Sequence, residues 1–76
     1  IHRTLREMIA RWHAGAELQQ VESAARDALE FAGFRVDYTS LRRASDLGPV
    51  VRSDREVVAL VAAWLGKTRL IDNLRS

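Results

Sequence analysis

The chain has 76 residues, enough for one small domain. It cannot hold a βαβ nucleotide-binding sheet beside a substrate domain, because each crossover unit takes about 30 residues. With 47% hydrophobic residues, 29% charged residues, a formal charge of +2 and no Cys, it reads as globular and lacks any disulfide, thiolate nucleophile or cysteine zinc site.

The first segment places Ile1, Leu5, Met8, Ile9 and Trp12 on one helical face. Glu7 and Arg11 stand in the favourable order for an i,i+4 pair, and His13 suits the negative end of the helix dipole. Gly15 interrupts the pattern. A second helix is predicted over about Glu17 to Ala32, with Leu18, Val21, Ala25, Ala28, Leu29 and Ala32 as its stripe. Glu22 and Arg26 are a further i,i+4 pair, and Gly33 fits the place just past the helix end. Two helices with a short Gly-containing link make an αα-hairpin.

After Gly33 the period changes to two. Phe34, Val36 and Tyr38 alternate with Arg35, Asp37 and Thr39, which predicts a half-buried strand. Leu41 is out of phase with them, so a bulge or a twist near Ser40 is expected. Ser45, Asp46, Gly48 and Pro49 are turn chemistry, and Val50 and Val51 suggest a short edge strand. The run Val57 to Leu65 fits two descriptions: a helix, with Ser53 and Glu56 as its capping box, or a doubly buried central strand. In the second case Gly66-Lys67-Thr68 is a turn and Arg69 to Leu74 a returning strand, with Leu70 and Ile71 out of alternation.

The functional signals are sparse. Gly66-Lys67-Thr68 resembles the end of a phosphate-binding loop, but Val61 stands where the motif needs its first Gly, so a tight hairpin turn is the expectation. His2 and His13 have no metal-ligand spacing, are expected to point in different directions, and predict no metal site. No serine lies in a nucleophile elbow. Arg3, Arg6, Arg11, Arg42 and Arg43 could form a basic patch, which keeps open a small basic nucleic-acid-binding or protein-interaction module. Nearby Glu7, Glu17, Glu22, Asp27 and Glu30 dilute such a field, and no aromatic residues interleave with the bases. Trp12 and Trp64 are expected as core anchors. The longest uncharged run, residues 57–66, is too short to cross a bilayer. A start at Ile1 rather than Met suggests a piece of a longer chain.

The string Leu60-Val61-Ala62-Ala63-Trp64-Leu65-Gly66-Lys67-Thr68-Arg69-Leu70-Ile71-Asp72-Asn73 resembles the C-terminal end of the pantoate–β-alanine ligase family, the pantothenate synthetases. Gly33 to Tyr38, then Leu41 and Leu47, resemble the strand that precedes it there. The resemblance covers the whole chain but only about the last third of the family's length. It implies an α+β fold, a two-helix hairpin packed on a small three-stranded antiparallel sheet, and so favours the strand over Val57 to Leu65. It implies one domain over residues 1–76, a lid whose N-terminal nucleotide-binding domain, similar to class I aminoacyl-tRNA synthetases, is absent here. The family's reaction uses ATP and Mg²⁺ to make pantoyl adenylate. The amine of β-alanine then attacks, giving pantothenate and AMP. The parent is expected to be a cytoplasmic homodimer, with pantoate, β-alanine and ATP reaching this part through the missing domain. The family's His-x-Gly-His, Lys-Asp and Ser-Ser-Arg-Asn segments have no counterpart here, so no catalytic residue, bound cofactor or activity is expected of this chain alone. Lys67 and Arg69 are the loop-tip candidates to meet a ligand, while Asp72 and Asn73 are expected to tie the turn and strand end. Arg43 departs from the pattern, which leads one to expect an acidic residue there.

Overall fold

The computed structural model describes residues 1–76. Helix α1 (His2–His13) and helix α2 (Leu18–Phe31) are followed by strands β1 (Arg35–Arg43), β2 (Val57–Leu65) and β3 (Thr68–Arg75). The sheet is antiparallel throughout, in the order β1-β2-β3. The predicted fold class and the strand over Val57 to Leu65 are therefore observed.

Leu5, Met8, Ile9 and Trp12 are the buried residues of α1, at the spacing that puts them on one stripe. Val21, Ala25 and Leu29 do the same for α2, whereas Ala28 and Ala32, predicted on that stripe, are exposed. Both helices end alike. Gly15 and Gly33 take φ of 101° and 98°, which lets Ala16 and Phe34 return their N–H groups to the Arg11 and Leu29 carbonyls. That closure turns α1 back on α2, and α2 into β1.

Both helices lie on one face of the sheet. Their apolar stripes join Val36 and Leu41 of β1 and Val57, Ala59, Val61 and Ala63 of β2 in a single core. Central β2 is lined on both faces, since Val58 and Ala62 on the opposite face are also buried. Its edge neighbours are less covered. Leu70 faces the helices and Ile71 faces away, in regular alternation, and both are exposed.

The bulge falls at Asp37 rather than near Ser40: Val36 pairs with Ala63 and Tyr38 with Ala62. Arg26 braces it, donating to the carbonyls of both Val36 and Asp37. The extra residue brings Thr39 and Leu41 onto the core face and turns Tyr38 away from it. Arg26 is therefore no partner for Glu22. Glu22 accepts the Leu41 N–H at 2.9 Å, and its own carbonyl accepts the Thr39 hydroxyl at 2.7 Å. Glu7 likewise pairs with Arg3 at 3.4 Å, not with Arg11.

The segment between β1 and β2 is held by side chains. Val50 and Val51 form no strand; a lone bridge joins Arg42 to Pro49. Ser53 and Glu56 cap no helix, because a strand follows them. Arg43 contacts Asp46 at 3.2 Å and Asp54 at 3.3 Å, and donates to the Pro49 carbonyl. Asp54 also accepts the Val51 N–H, the main reason its carboxyl lies below the usual range. Arg52 reaches across to α1, donating to the Trp12 carbonyl at 2.6 Å and to that of Ala16. Its guanidinium stacks 3.6 Å from the Trp12 ring centroid. No helix is long and apolar enough to cross a membrane.

Candidate functional site

Two regions gather chemistry-bearing side chains. The first is the turn end of the sheet, on the face away from the helices. Gly66 and Lys67 form a two-residue hairpin turn in which Gly66 has φ of 60°, and Leu65 pairs with Thr68. The turn is thus one residue shorter than expected, and no phosphate loop exists.

Behind it, Trp64 sits between Arg35 on one side and Arg69 on the other. Trp64 is half-buried on the outer face, not in the core as expected. The bulge brings Asp37 to the same place. Its Oδ2 accepts from the Trp64 indole Nε1 at 3.1 Å and from Arg69 Nε at 3.0 Å. The Arg69 hydrogen bond is the chief reason the Asp37 carboxyl is held below its ordinary value. Arg35 stacks 5.3 Å from the Trp64 ring centroid. Lys67 is exposed at the turn, two positions before Arg69.

Lys67 and Arg69 are therefore close in the fold. The residues that sequence reasoning missed are Asp37 and Trp64, which adjoin Arg69, and Arg35 on the far side of Trp64. Strand alternation made Arg35 and Asp37 polar-face residues, but the bulge that aims Asp37 at Trp64 has no local signal. Asp72 and Asn73 lie within β3 instead of at the turn, and Asp72 accepts the Asn73 N–H at 2.8 Å.

The second region is a groove of about 930 Å³ along α1, closed on its far side by Leu74 and Arg75. His2, Arg3, Arg6 and His13 line it. The two histidines do share a face, contrary to expectation: eleven residues are three turns plus about 20°. Nowhere do three or more His, Asp or Glu side chains come together in a way that could hold a metal ion.

The arginines do not form one basic surface. Arg26, Arg43 and Arg52 are spent on carbonyls and carboxylates of the chain itself. Arg42 contacts Ser40, and Arg3 contacts Glu7.

A two-helix layer on a three-stranded antiparallel sheet, with a polar cluster at the hairpin end, defines a small α+β unit. Its sequence assigns that unit: the family model for pantoate-beta-alanine ligase matches residues 1–75, and the chain belongs to that family. The pantothenate synthetase of Pseudomonas aeruginosa (strain UCBPP-PA14) is 52% identical over 75 residues, covering 97% of this chain and 26% of that protein. That of Idiomarina loihiensis is 45% identical and covers 99% and 27%. The crystal structure of the pantothenate synthetase from Thermus thermophilus superimposes with a TM-score of 0.77 at 29% identity, over 95% of this chain and 26% of that one. The chain thus spans about a quarter of the length of the relatives it matches, rather than a third.

Proposed function

We propose that this chain is the C-terminal lid domain of a pantothenate synthetase. The whole enzyme condenses pantoate with β-alanine, using ATP, through a pantoyl adenylate, and releases pantothenate and AMP. The observation that carries this reading is the family match over residues 1–75 in relatives of which the chain spans about a quarter. An adenylate hydrolyses readily in water, and a domain that closes over it excludes solvent and strengthens every charge interaction beneath. The outer sheet face and the tip of α2 suit such a role. Tyr38 and Ile71 stand exposed there, and Phe31 is 96% exposed at the end of α2.

In this reading the nucleotide-binding domain precedes residue 1, supplies the catalytic residues and carries most of a homodimer contact in the cytoplasm. Lys67 and Arg69 are the lid residues that meet the ligand. The parent's Mg²⁺ is given no ligands in this chain, where no three His, Asp or Glu side chains come together. The test is an ATP-dependent assay for pantothenate on this chain alone and on the chain joined to its upstream domain. The isolated chain is expected to form no product and the joined chain to turn over. Turnover by the isolated chain overturns the reading.

A further inference from the structure

We propose that the turn end of the sheet is a receptor for a phosphate-type oxyanion, with Arg69 as the binding group and Asp37 as its positioning residue. The proposal deepens the lid reading only in naming the ligand class that Lys67 and Arg69 would meet; the receptor itself stands on the geometry of this chain.

A guanidinium offers five N–H donors in a planar fork. Arg43 uses Nε and both terminal nitrogens on partners within the chain. Arg26 and Arg52 each use both terminal nitrogens. Arg69 differs. Only its Nε is engaged, by Asp37 at 3.0 Å, and its two terminal nitrogens have no partner in the chain. A carboxylate that grips an arginine from the Nε side fixes the plane of the fork and leaves the outer edge free. That edge is the one that matches two oxygens of a phosphate.

Asp37 is itself fixed. The Trp64 indole donates to the same oxygen, and Arg26 fastens the backbone of the bulge through the Val36 and Asp37 carbonyls. The rotamer freedom that makes a surface arginine a poor binder is thus removed before any ligand arrives. Arg35 stacks over the Trp64 ring from the β1 side, and Lys67 lies in the adjoining turn. Two arginines, Arg69 and Arg35, flank Trp64 beside one carboxylate, Asp37, and Lys67 follows in the adjoining turn, so the end of the sheet is electropositive, and a multiply charged anion is favoured over a single carboxylate. The Arg43 cluster at the opposite end of β1 shows the contrast, because two carboxylates there saturate the guanidinium.

The two tryptophans supply the readout. Trp64 donates its indole N–H to Asp37 at the site, whereas Trp12 is buried in the core. Inorganic pyrophosphate is titrated into the chain while both indole N–H resonances and the Arg69 Nε–H are followed. The Trp64 and Arg69 signals are expected to shift saturably, with half-saturation of order 1–10 mM at about 50 mM salt and several-fold weaker at about 200 mM. The Trp12 indole is expected to stay in place. Arg69→Lys keeps the charge but loses the fork, and is expected to weaken binding by roughly fivefold or more. Asp37→Ala separates positioning from charge. Removing a carboxylate makes the site more positive, so simple attraction would tighten binding, whereas loss of positioning weakens it about threefold or more. Arg11→Ala, on the helical layer, is expected to change nothing.

The proposal is overturned by non-saturable shifts, by equal movement of both indoles, or by an Arg69→Lys variant that binds like the parent chain. Tighter binding by Asp37→Ala overturns the positioning role. Acetate that saturates the site as well as pyrophosphate does overturns the phosphate class. These outcomes are independent of turnover: a chain that binds pyrophosphate and also makes pantothenate unaided would refute the lid reading and leave the receptor standing.

Discussion

Replacing Arg52 by Ala tests whether the segment between β1 and β2 is part of the folded core or merely passes over it. Arg52 donates to the Trp12 carbonyl at 2.6 Å and to the Ala16 carbonyl, and its guanidinium lies 3.6 Å from the Trp12 ring centroid. These carbonyls belong to the last turn of α1 and the link that follows it, where the helix dipole is negative. Hydrogen bonds to a charged donor contribute about 1.5–3 kcal/mol when dry, and less here because one of the two is solvent-exposed. A cation stacked on the Trp12 ring while itself open to solvent adds about 0.5–1 kcal/mol, and a charge at a helix C-terminus about 0.3–1 kcal/mol. These overlap, so the expected net loss is about 2 kcal/mol. For a domain of this size that is a fall of roughly 8–16 °C in Tm. Arg52→Lys keeps the charge but gives up the fork and the stack, and is expected to lose about half as much. Thermal unfolding followed by far-ultraviolet circular dichroism, with urea unfolding as a second measure, reads both variants. An Arg52→Ala chain within about 0.5 kcal/mol of the parent would refute the reasoning, since that is the range of surface substitutions that touch nothing.

Two further outcomes are expected. Glu22→Gln should be nearly neutral, because an amide oxygen can still accept the Leu41 N–H, whereas Glu22→Ala should cost about 1–2 kcal/mol by leaving that N–H unpaired. Urea unfolding of the two variants checks it, and equal losses would mean that the charge of Glu22 matters instead. Stability should also fall on acidification. Asp37, mainly through the Arg69 hydrogen bond, and Asp54, mainly through the Val51 N–H, have carboxyls depressed in the folded chain. Groups depressed on folding stabilise the native state above the ordinary carboxylate pKa of about 3.9, and that contribution is lost as pH falls through their folded values. Urea midpoints should therefore drop below about pH 4, and less steeply in an Asp37→Asn, Asp54→Asn double variant; a midpoint that rises on acidification would contradict the assignment.

What could be read from the chain depended on the distance over which each feature is decided. The helix faces were legible because Leu5, Met8, Ile9 and Trp12, or Val21, Ala25 and Leu29, carry their spacing within a few turns. The β2–β3 hairpin was legible through its family-like string, while periodicity alone left residues 57–65 open between helix and strand. The position of the bulge was not legible, because the contacts that brace it come from Arg26, ten and eleven residues away. The face of Trp64 follows from that register, so it too was hidden. The pairings of Glu22 and Arg26 went astray for a related reason. Helical spacing offers a partner at i+4, but β1 offers Glu22 and Arg26 backbone groups whose desolvation would cost more than a solvated ion pair returns. For the candidate site, Lys67 and Arg69 were named from a loop tip, but the carboxylate that orients Arg69 lies 32 residues earlier. Arg52, which grips α1 from 40 residues away, gave no sign at all.

The position of β2 in the middle of the sheet governs the order in which this chain can fold as it leaves the ribosome. By the time β1 has emerged, both helices and one edge strand exist, yet the floor they rest on, Val57, Ala59, Val61 and Ala63, has not been made. Until then the apolar stripes of α1 and α2 can cover only each other and Val36 and Leu41 of β1. Once β2 and β3 appear, their two-residue turn lets them pair within microseconds, and the ready hairpin offers the waiting helices a complete surface in one step. Backbone bonds from Val57 to Ser76, at 2.8 and 2.9 Å, then fasten the start of the hairpin to its last residue. Synthesis that stalls before residue 57 would leave two sticky helices exposed to chaperones, whereas a pause just after residue 76 has left the exit tunnel would find the domain already shut.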